Sequence, residues 1–165
     1  MLQTEIFDKN VEAYEKWYEK YPEVYQSEIN AIKEQLKKLP NFSLARKKNA
    51  KKYFLEFSKF EEYFILPKQD QEISWFGFPV YVKESAPFTR DDIVSYLEEH
   101  KIQTRMLFGG NLLKQPAYKD IKYRSLDLTN TDLVTNNLFW LGVYPGITDL
   151  MMEYITSVLG NFLKS

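Results

Sequence analysis

The chain has 165 residues, of which 44% are hydrophobic, 27% charged and 16% aromatic. This length predicts one domain with a sizeable core plus an appendage, and the composition is typical of an ordinary soluble globular protein. A formal net charge of -1 provides no global field to gather nucleic acid or anionic lipid, and the absence of cysteine excludes disulfides and a thiol nucleophile. No segment resembles a signal peptide or a membrane span, so we expect a cytoplasmic protein that binds neither nucleic acid nor membrane.

The first 39 residues carry two amphipathic helical patterns. Apolar side chains recur at helical spacing between Phe7 and Tyr18 and again across residues 25–39, with a break near Pro22. The aromatic side chains of this segment are expected either to cover another part of the fold or to bind a partner, because large rings are seldom left fully exposed. We therefore predict an N-terminal helical segment over residues 1–39.

A third helical pattern follows Pro40, and two polar residues, Arg46 and Asn49, lie on its apolar stripe. A buried guanidinium or amide must be hydrogen-bonded, so we expect both to tether this helix to another element. The four lysines between residues 47 and 52 gather on the opposite face of the helix, which favours a solvated surface over a nucleic-acid site.

Residues 40–165 are predicted to form an α+β domain. Three segments alternate in the way of strands: residues 74–84, 102–108 and 137–144. In the first of them one face is formed by Phe76, Phe78, Val80 and Val82. Thr89 and Thr148 have the form of helix N-caps. The resulting order predicts a small sheet of about three strands with packed helices, preceded by the N-terminal amphipathic helices.

Motifs of the common catalytic sites are absent from the sequence. The chain has no P-loop, no dinucleotide-binding glycine fingerprint, no HExxH zinc motif and no GxSxG nucleophile elbow. Its one histidine, His100, follows two glutamates at a predicted helix end, where a capping role is favoured over a general base or a metal ligand. We predict no catalytic residue and no metal ligand in this chain.

The stretch RMLFGGNLLKQP at residues 105–116 is the best candidate for a binding site. The residues concerned are Arg105, Phe108, Gly109, Gly110, Asn111 and Gln115. Glycine lets the backbone approach a ligand closely, and an arginine with polar amides can form a rim for an anion. An ordinary tight turn, in which both glycines adopt positive φ and Arg105 pairs with a surface carboxylate, accounts for the same residues. Both interpretations stay open on the residues alone.

Five blocks of the sequence carry a family resemblance. They are KLPNFSLARKKNAKKYF at 38–54, WFGFPVYVKE at 75–84, FTRDDIVSYLEEHKIQTRMLFGGNLLKQPAYKD at 88–120, DLTNTDLV at 127–134 and FWLGVYPGIT at 139–148. In this order they closely resemble the C-terminal domain of the DegT/StrS-type pyridoxal-phosphate (PLP) sugar enzymes, with the first block similar to the helix that links the family's two domains. Within the family the likeness is greatest to the CDP-4-keto-6-deoxyglucose 3-dehydratases of lipopolysaccharide and deoxysugar biosynthesis. The resemblance covers roughly residues 38–165.

The resemblance implies a homodimeric enzyme of the aspartate-aminotransferase fold, in which the amine of PLP/PMP condenses with the 4-keto group of a nucleotide-linked sugar. The family's large domain carries the catalytic Lys, or His in the dehydratases, together with the cofactor site. Residues 1–37 supply neither, and His100 does not correspond to the dehydratase histidine. We therefore expect no cofactor in this chain and no catalysis by it alone.

The resemblance also implies which residues contact the substrate. The family's small domain packs over the active site, so Arg105, Asn111 and Gln115 are expected around the sugar nucleotide, with Gly109 and Gly110 as a close-approach loop beside it. In ordinary aminotransferases of the family this loop carries a histidine, so Asn111 favours the dehydratase branch.

Residues 6–36 are similar to the leader helices of class I S-adenosylmethionine-dependent methyltransferases, although no glycine-rich cofactor loop follows them. Three functions stay open. The chain could be a non-catalytic remnant or binding module, half of a split enzyme whose large domain is a separate chain, or a structural adaptor that uses its aromatic N-terminal helices.

Overall fold

The computed structural model describes residues 2–68 and 73–164, with side chains from residue 11 onwards. The chain forms two compact units, Met1–Asn41 and Phe42–Ser165. The predicted domain boundary after residue 39 stays a prediction. The predicted place of Phe7 on an apolar stripe lies outside the described side chains.

The first unit contains two helices that are separated at Tyr21. Helix α1 spans Leu2–Lys20 and helix α2 spans Pro22–Leu36. Tyr21 has φ -127° and ψ 63°, outside the helical region, and Pro22 begins α2 at a position where its missing N–H removes no hydrogen bond. The two predicted helical patterns and the break near Pro22 are confirmed.

Aromatic rings pack around the junction of α1 and α2. The ring of Tyr18 lies edge-on to Trp17 and Tyr25, with centroid distances of 5.2 and 5.0 Å, and its hydroxyl donates to Glu28 Oε2 at 3.1 Å. Trp17 and Tyr25 remain 43% and 47% exposed. Whether these rings cover another element or bind a partner stays a prediction.

Helix α3, Leu39–Phe57, contributes aromatic side chains to the core of the second unit. Its buried residues are Asn49, Ala50, Tyr53, Phe54 and Phe57. The ring of Tyr53 stacks on Phe78 at 5.2 Å, and Phe57 is fully buried among Tyr53, Phe64 and Phe78. Aromatic pairs of this kind add about 1 kcal/mol each to the effect of burial. The core rich in Phe and Tyr is the one that the composition favours.

Two polar residues tether α3 to distant parts of the second unit. Asn49 Nδ2 donates to the backbone oxygen of Tyr144 at 2.9 Å, and Arg46 Nη1 donates to the backbone oxygen of Trp75 at 3.3 Å. Both hydrogen bonds satisfy groups that would be costly to bury alone. The predicted tethering role of Arg46 and Asn49 is confirmed.

The second unit contains a four-stranded antiparallel sheet. Its strands are β1 Phe64–Ile65, β2 Gly77–Val82, β3 Thr104–Met106 and β4 Leu138–Gly142. They lie in the order β1-β2-β4-β3, which leaves β1 and β3 at the edges. The α+β class is confirmed, and the expected count of about three strands becomes four because two-residue β1 is too short to show an alternating pattern.

Three helices complete the second unit: α4 Arg90–Glu99, α5 Thr129–Asn137 and α6 Asp149–Phe162. Thr89 and Asp92 form a reciprocal capping box, in which each backbone N–H donates to the other residue's side chain, at 2.8 and 3.2 Å. The Thr148 hydroxyl accepts from the Met151 N–H at 3.2 Å. Both predicted caps are confirmed. None of the helices in the described parts of the chain combines the length and the apolar character needed to cross a membrane.

The lysines of α3 differ in their surroundings. Lys48 and Lys52 both form ion pairs with Asp149, the first residue of α6, and the Lys48 Nζ–Asp149 Oδ1 distance is 3.4 Å. These pairs lower the pKa of Asp149, with the bond from Lys52 as the largest cause. The predicted solvated face is thus partly an inter-helix contact.

The two faces of the sheet differ in character. The buried core face is formed by Phe78, Val80, Val82, Phe139 and Leu141. The prediction that Phe76 shares this face is wrong: it is 68% exposed and its ring contacts Trp140 at 5.2 Å, because β2 begins only at Gly77. On the opposite face the indole of Trp140 lies across Gly77, where a Cβ would come within 2.1 Å of the ring. Only glycine permits this contact.

Candidate functional site

A cleft of about 670 Å³ opens beside edge strand β3, between the sheet and the N-terminal half of α6. Two cations line it, Lys101 and Arg105, together with the aromatic rings of Trp140, Tyr144 and Tyr154. No carboxylate is among the described residues that form its walls. Such a lining suits a ligand that combines an anionic group with a flat or apolar part.

Strand register determines which face of the sheet Arg105 occupies. Arg105 lies opposite Trp140 in the β3–β4 ladder, on the face that does not enter the core. The Nη1 of Arg105 donates to the backbone oxygen of Thr104 at 3.1 Å. When the Gln103 amide is oriented so that its oxygen faces the guanidinium, that oxygen accepts from Arg105 Nη2 at 2.8 Å. Among the described side chains, residues 11–68 and 73–164, no carboxylate forms an ion pair with Arg105, so the surface pair expected for an ordinary turn is not seen there.

The Glu98 carboxylate lies close enough to Arg105 for the guanidinium charge to influence its pKa. Its Oε1 accepts from both Thr104 N and Thr104 Oγ1, at 2.6 and 2.8 Å. These two hydrogen bonds are the main reason that the pKa of Glu98 is lowered, and Arg105 adds a smaller electrostatic contribution. Glu98 therefore fixes the start of β3, next to the arginine.

The segment between β3 and the short 3₁₀ turn Leu112–Lys114, residues 107–111, is a tight loop with two left-handed residues. Phe108 has φ 48° and Gly110 has φ 61°. The interpretation that both glycines supply positive φ is wrong for Gly109, because the second left-handed residue is Phe108. At Gly110 a Cβ would also lie 2.5 Å from Thr135 Cγ2, so glycine is required there for two reasons.

Phe108 is the most unusual residue of this loop. A left-handed conformation costs a non-glycine residue about 1–3 kcal/mol, and here it holds a phenyl ring that is 82% exposed. The Phe108 N–H donates to the backbone oxygen of Met106 at 2.8 Å, which closes the turn. The loop therefore presents an aromatic side chain to solvent from a constrained backbone.

Asn111 lies inside the protein rather than at a rim. It is buried, and its Nδ2 donates to Asp132 Oδ1 at 2.7 Å while its Oδ1 accepts from the Leu113 N–H at 3.1 Å. Its backbone N–H donates to Thr135 Oγ1 at 3.0 Å. Asn111 thereby fixes the loop to α5.

Gln115 and Lys114 complete this bracing. Gln115 Nε2 donates to the backbone oxygen of Gly109 at 2.7 Å, and Lys114 Nζ pairs with Asp132 Oδ2 at 2.8 Å. The hydrogen bonds from Lys114, and then from Asn111, lower the pKa of Asp132. Of the six predicted site residues, Arg105 lines the cleft, four belong to the 107–111 loop, and Gln115 braces that loop from outside it.

Sequence reasoning missed the other side of the cleft. Lys101, Tyr144 and Tyr154 come from three separate elements and meet only through the fold. A signal was available for Trp140 alone, because strand alternation places it on the face opposite Phe139 and Leu141.

His100 has the structural role that was predicted for it. It is the C-cap of α4, its Nδ1 lies 2.7 Å from the backbone oxygen of Tyr96, and its ring packs on Tyr96 at 4.2 Å. The described residues contain no group of three or more His, Cys, Asp or Glu side chains that could hold a metal ion.

The model of the DegT/DnrJ/EryC1/StrS aminotransferase family matches residues 27–160. The chain belongs to this family. The family match begins earlier than the predicted residue 38, so it includes most of α2 and residues 27–36 of the segment that resembles methyltransferase leader helices.

Named members of the family share much of this chain. A dTDP-4-dehydro-2,6-dideoxy-D-glucose 3-dehydratase of Saccharopolyspora spinosa is 41% identical over 132 residues, which are 78% of this chain and 28% of that protein. The lipopolysaccharide biosynthesis protein RfbH of Salmonella typhimurium is 39% identical over 131 residues, 78% of this chain and 30% of that protein. The chain thus spans about 30% of the length of the curated relatives it matches.

Solved structures of GDP-4-keto-6-deoxymannose-3-dehydratase resemble the fold. One holds a trapped PLP-glutamate geminal diamine and another, a mutant, holds bound GDP-perosamine. Each has a TM-score of 0.67, is 30% identical, and is matched over 76% of this chain and 33% of that chain. The likeness to sugar 3-dehydratases that the sequence suggested is confirmed for this part of the chain.

Proposed function

We propose that the second unit is the substrate-covering domain of a PLP-dependent nucleotide-sugar 3-dehydratase and that it binds the sugar nucleotide without carrying out the chemistry alone. The observation that carries the proposal is the cleft beside β3, which brings Arg105 and Lys101 together with aromatic rings and has no carboxylate in its described lining. The names of the relatives, which are sugar 3-dehydratases, support the same substrate class.

The two parts of a nucleotide sugar match the two characters of the cleft. The diphosphate would pair with Arg105 and Lys101, because guanidinium and ammonium groups form charge-assisted hydrogen bonds with phosphate. The base would stack on the rings of Trp140 and Tyr144, and the 107–111 loop would close over the sugar. In this role Phe108 would exclude water from the sugar, since its ring is presented to solvent by a constrained backbone.

Asn111 and Gln115 would act in this site by positioning. Their side chains are engaged within the protein, with Asp132 and with the Gly109 carbonyl respectively. Their contribution would be to hold the loop in its binding conformation, in place of the direct contact that the family resemblance implies.

The lining of the cleft does not fit the cofactor of the family. PLP is held by a lysine and by a carboxylate or arginine at its pyridine nitrogen, and it commonly places its phosphate on backbone N–H groups. The described lining offers no carboxylate to face the pyridine nitrogen, and its two cations, Lys101 and Arg105, are both exposed to solvent. We therefore derive no step of the reaction from this chain, and we place the cofactor on a large domain that these 165 residues do not include.

The direct test is an NMR titration of the chain with CDP-glucose, with CDP and glucose as separate ligands. We expect saturable shifts in the amides of residues 105–115 and in the Trp140 indole with CDP-glucose, weaker shifts with CDP, and none with glucose. Arg105→Ala should weaken binding about tenfold or more, because a hydrogen bond to a charged group contributes about 1.5–3 kcal/mol. Arg124→Ala is the matched control, since this exposed arginine lies outside the cleft lining.

The absence of saturable shifts at millimolar ligand, a regime weaker than about -4 kcal/mol, would overturn the proposal. Equal weakening by Arg105→Ala and Arg124→Ala would overturn the role of the cleft.

The split-enzyme form of the proposal has its own test. Co-expression with the large domain of a sugar 3-dehydratase should yield a complex whose activity is lost on Arg105→Ala and retained on Arg124→Ala. Failure to form any complex would leave a binding module or an adaptor as the function of the chain.

A further inference from the structure

Tyr53 reaches the cleft from the core side of the second unit, although only 1% of its surface is exposed. Its ring stacks on Phe78 at 5.2 Å and lies edge-on to Phe57 at 6.2 Å, so the core fixes its position. Its hydroxyl forms no hydrogen bond with any residue that the structure describes. Polar side-chain atoms that are sealed from solvent in the described interior all have a partner, so this hydroxyl is not sealed and opens into the cleft.

Burial keeps the Tyr53 hydroxyl protonated. It is the main reason that the pKa of Tyr53 is raised above its usual value of 10.0, and the nearby Tyr144 raises it further. The group is therefore a neutral O–H donor at physiological pH. A donor that is withdrawn from water and has no protein partner is costly to leave unpaired, and a ligand can supply the missing acceptor.

Other donors of the cleft lining are already engaged or are open to water. The Trp140 indole N–H donates to the backbone oxygen of Met106 at 3.0 Å, and the Tyr154 hydroxyl donates to the backbone oxygen of His100 at 3.0 Å. The hydroxyl of Tyr144 belongs to an exposed side chain. Tyr53 differs from all three because its donor is both withdrawn and unpaired.

Tyr144 provides a fixed aromatic surface next to Tyr53. Its backbone oxygen accepts from Asn49 Nδ2 at 2.9 Å and from the Ile147 N–H at 3.2 Å. Its ring lies against Gly146, where a Cβ would come within 2.5 Å of Cε2, so glycine permits this position. A base stacked on the Tyr144 ring would present one of its edges to the Tyr53 hydroxyl.

The cleft separates two kinds of recognition by charge. Lys101 and Arg105 suit phosphate, whereas a neutral phenol suits an uncharged acceptor such as a carbonyl oxygen. Cytosine, uracil, thymine and guanine carry a carbonyl oxygen, and adenine has none. The acceptor that suits Tyr53 is therefore on the base, and the diphosphate is left to the two cations.

We propose that Tyr53 is a specificity-determining residue of the cleft, whose hydroxyl donates to a carbonyl oxygen of the nucleotide base and so selects bases that carry one. This inference rests on the proposed function, because it needs the base to stack on the Tyr144 ring. It goes beyond that function by assigning the choice of base, which neither Arg105 nor Lys101 can make through phosphate.

The test compares Tyr53→Phe with the unaltered chain in NMR titrations with CDP-glucose, ADP-glucose and inorganic pyrophosphate. Tyr53→Phe should weaken the binding of CDP-glucose about tenfold, because one neutral hydrogen bond is lost. Binding of ADP-glucose and of pyrophosphate should change less than about twofold, since neither uses this hydrogen bond. The unaltered chain should therefore prefer CDP-glucose to ADP-glucose, and the variant should bind the two alike.

Tyr63→Phe is the matched control. Tyr63 is half-buried and packs against the core, but it lies outside the cleft lining. Removing its hydroxyl should leave the preference for CDP-glucose intact. Loss of the preference in this variant as well would overturn the assignment to Tyr53.

Stability separates ligand recognition from a structural role. Since the Tyr53 hydroxyl has no partner within the described parts of the chain, Tyr53→Phe should leave the urea midpoint of unfolding unchanged or raise it. A clear fall of the midpoint would show that the hydroxyl is bonded within the protein, and it would overturn the proposal.

Failure of this inference can be told apart from failure of the proposed function. CDP-glucose binding that is weakened by Arg105→Ala and unaffected by Tyr53→Phe would overturn the role of Tyr53 alone. Equal weakening of CDP-glucose and ADP-glucose by Tyr53→Phe would also overturn it, because the hydroxyl would not distinguish the bases. The absence of saturable binding of CDP-glucose and of pyrophosphate would overturn the proposed function and this inference together.

Discussion

Helices α2 and α3 carry similar apolar spacing, yet they bury it very differently. Helix α2 contains no buried residue, whereas α3 buries five, including Tyr53 and Phe57. The difference comes from partners far away in the sequence: Phe78 and Phe64 supply rings to α3 from the sheet. Periodicity therefore specifies that a helix forms and which face is apolar, while distant residues decide what covers that face.

The largest effect that follows from this comparison concerns Phe57. Phe57→Ala should lower the free energy of unfolding by about 3–5 kcal/mol, because it leaves a cavity among Tyr53, Phe64 and Phe78. Leu55→Ala, two residues away on the same helix and 59% exposed, should cost less than about 1 kcal/mol. Urea unfolding of both variants measures the difference. Similar costs would mean that α3 is no better covered than α2.

A smaller loss is expected from the polar tether. Asn49→Ala removes the hydrogen bond to Tyr144 and leaves a carbonyl without its partner, so the free energy of unfolding should fall by about 1–3 kcal/mol. Lys51→Ala, at an exposed position of the same helix, should be near neutral. If Asn49→Ala were equally neutral, the hydrogen bond from Asn49 to Tyr144 would contribute nothing to the stability of the fold.

Replacing either of two glycines by alanine should change the free energy of unfolding, in opposite directions at the two positions. Gly110→Ala should destabilise the protein by about 1–3 kcal/mol, because alanine is strained at φ 61° and its Cβ would meet Thr135. Gly160→Ala, inside α6 with no atom within 4 Å of the new Cβ, should stabilise it by about 0.5–1 kcal/mol. Thermal unfolding of the pair distinguishes a constrained loop from a tolerant helix. Equal signs would refute the constraint at residue 110.

The smallest expected effect is a pH dependence centred on Glu98. Hydrogen bonds from Thr104 lower the folded-state pKa of this carboxyl below its usual value of 4.5, so the stabilisation is present above that value and is lost as the pH falls through the lower folded-state pKa. Glu98→Gln keeps an acceptor oxygen but cannot titrate. It should therefore reduce the fall in the free energy of unfolding that occurs as the pH becomes acidic. Unfolding measured between neutral and acidic pH tests this. An unchanged acid limb would assign the pH dependence to other carboxylates.

The sequence predicted the parts of the fold that are determined locally. Helix caps at Thr89 and Thr148 and the break at Pro22 depend on a few neighbouring residues, and the tethers at Arg46 and Asn49 follow from polarity on an apolar face. Strand alternation and helical spacing predicted the α+β class, and the family resemblance identified the relatives.

The parts that sequence reasoning missed depend on distant contacts. Strand β1 is only two residues long and exists through its pairing with β2. We predicted Asn111 at the rim of the site because the neighbouring sequence does not indicate that its side-chain amide donates a hydrogen bond to Asp132, twenty-one residues later. The cleft was not predicted for the same reason, since Lys101, Trp140 and Tyr154 come together only in the folded protein.

Because Trp140 packs against Gly77 and lines the cleft, its fluorescence provides a built-in probe of the cleft. The indole is pinned flat on a glycine, its Nε1 donates to the backbone oxygen of Met106 at 3.0 Å, and its ring lines the cleft. The chain has three tryptophans, and replacing Trp17 and Trp75 with phenylalanine would leave Trp140 as the sole emitter. Its emission maximum and anisotropy would then report cleft occupancy directly, without a label attached to the protein.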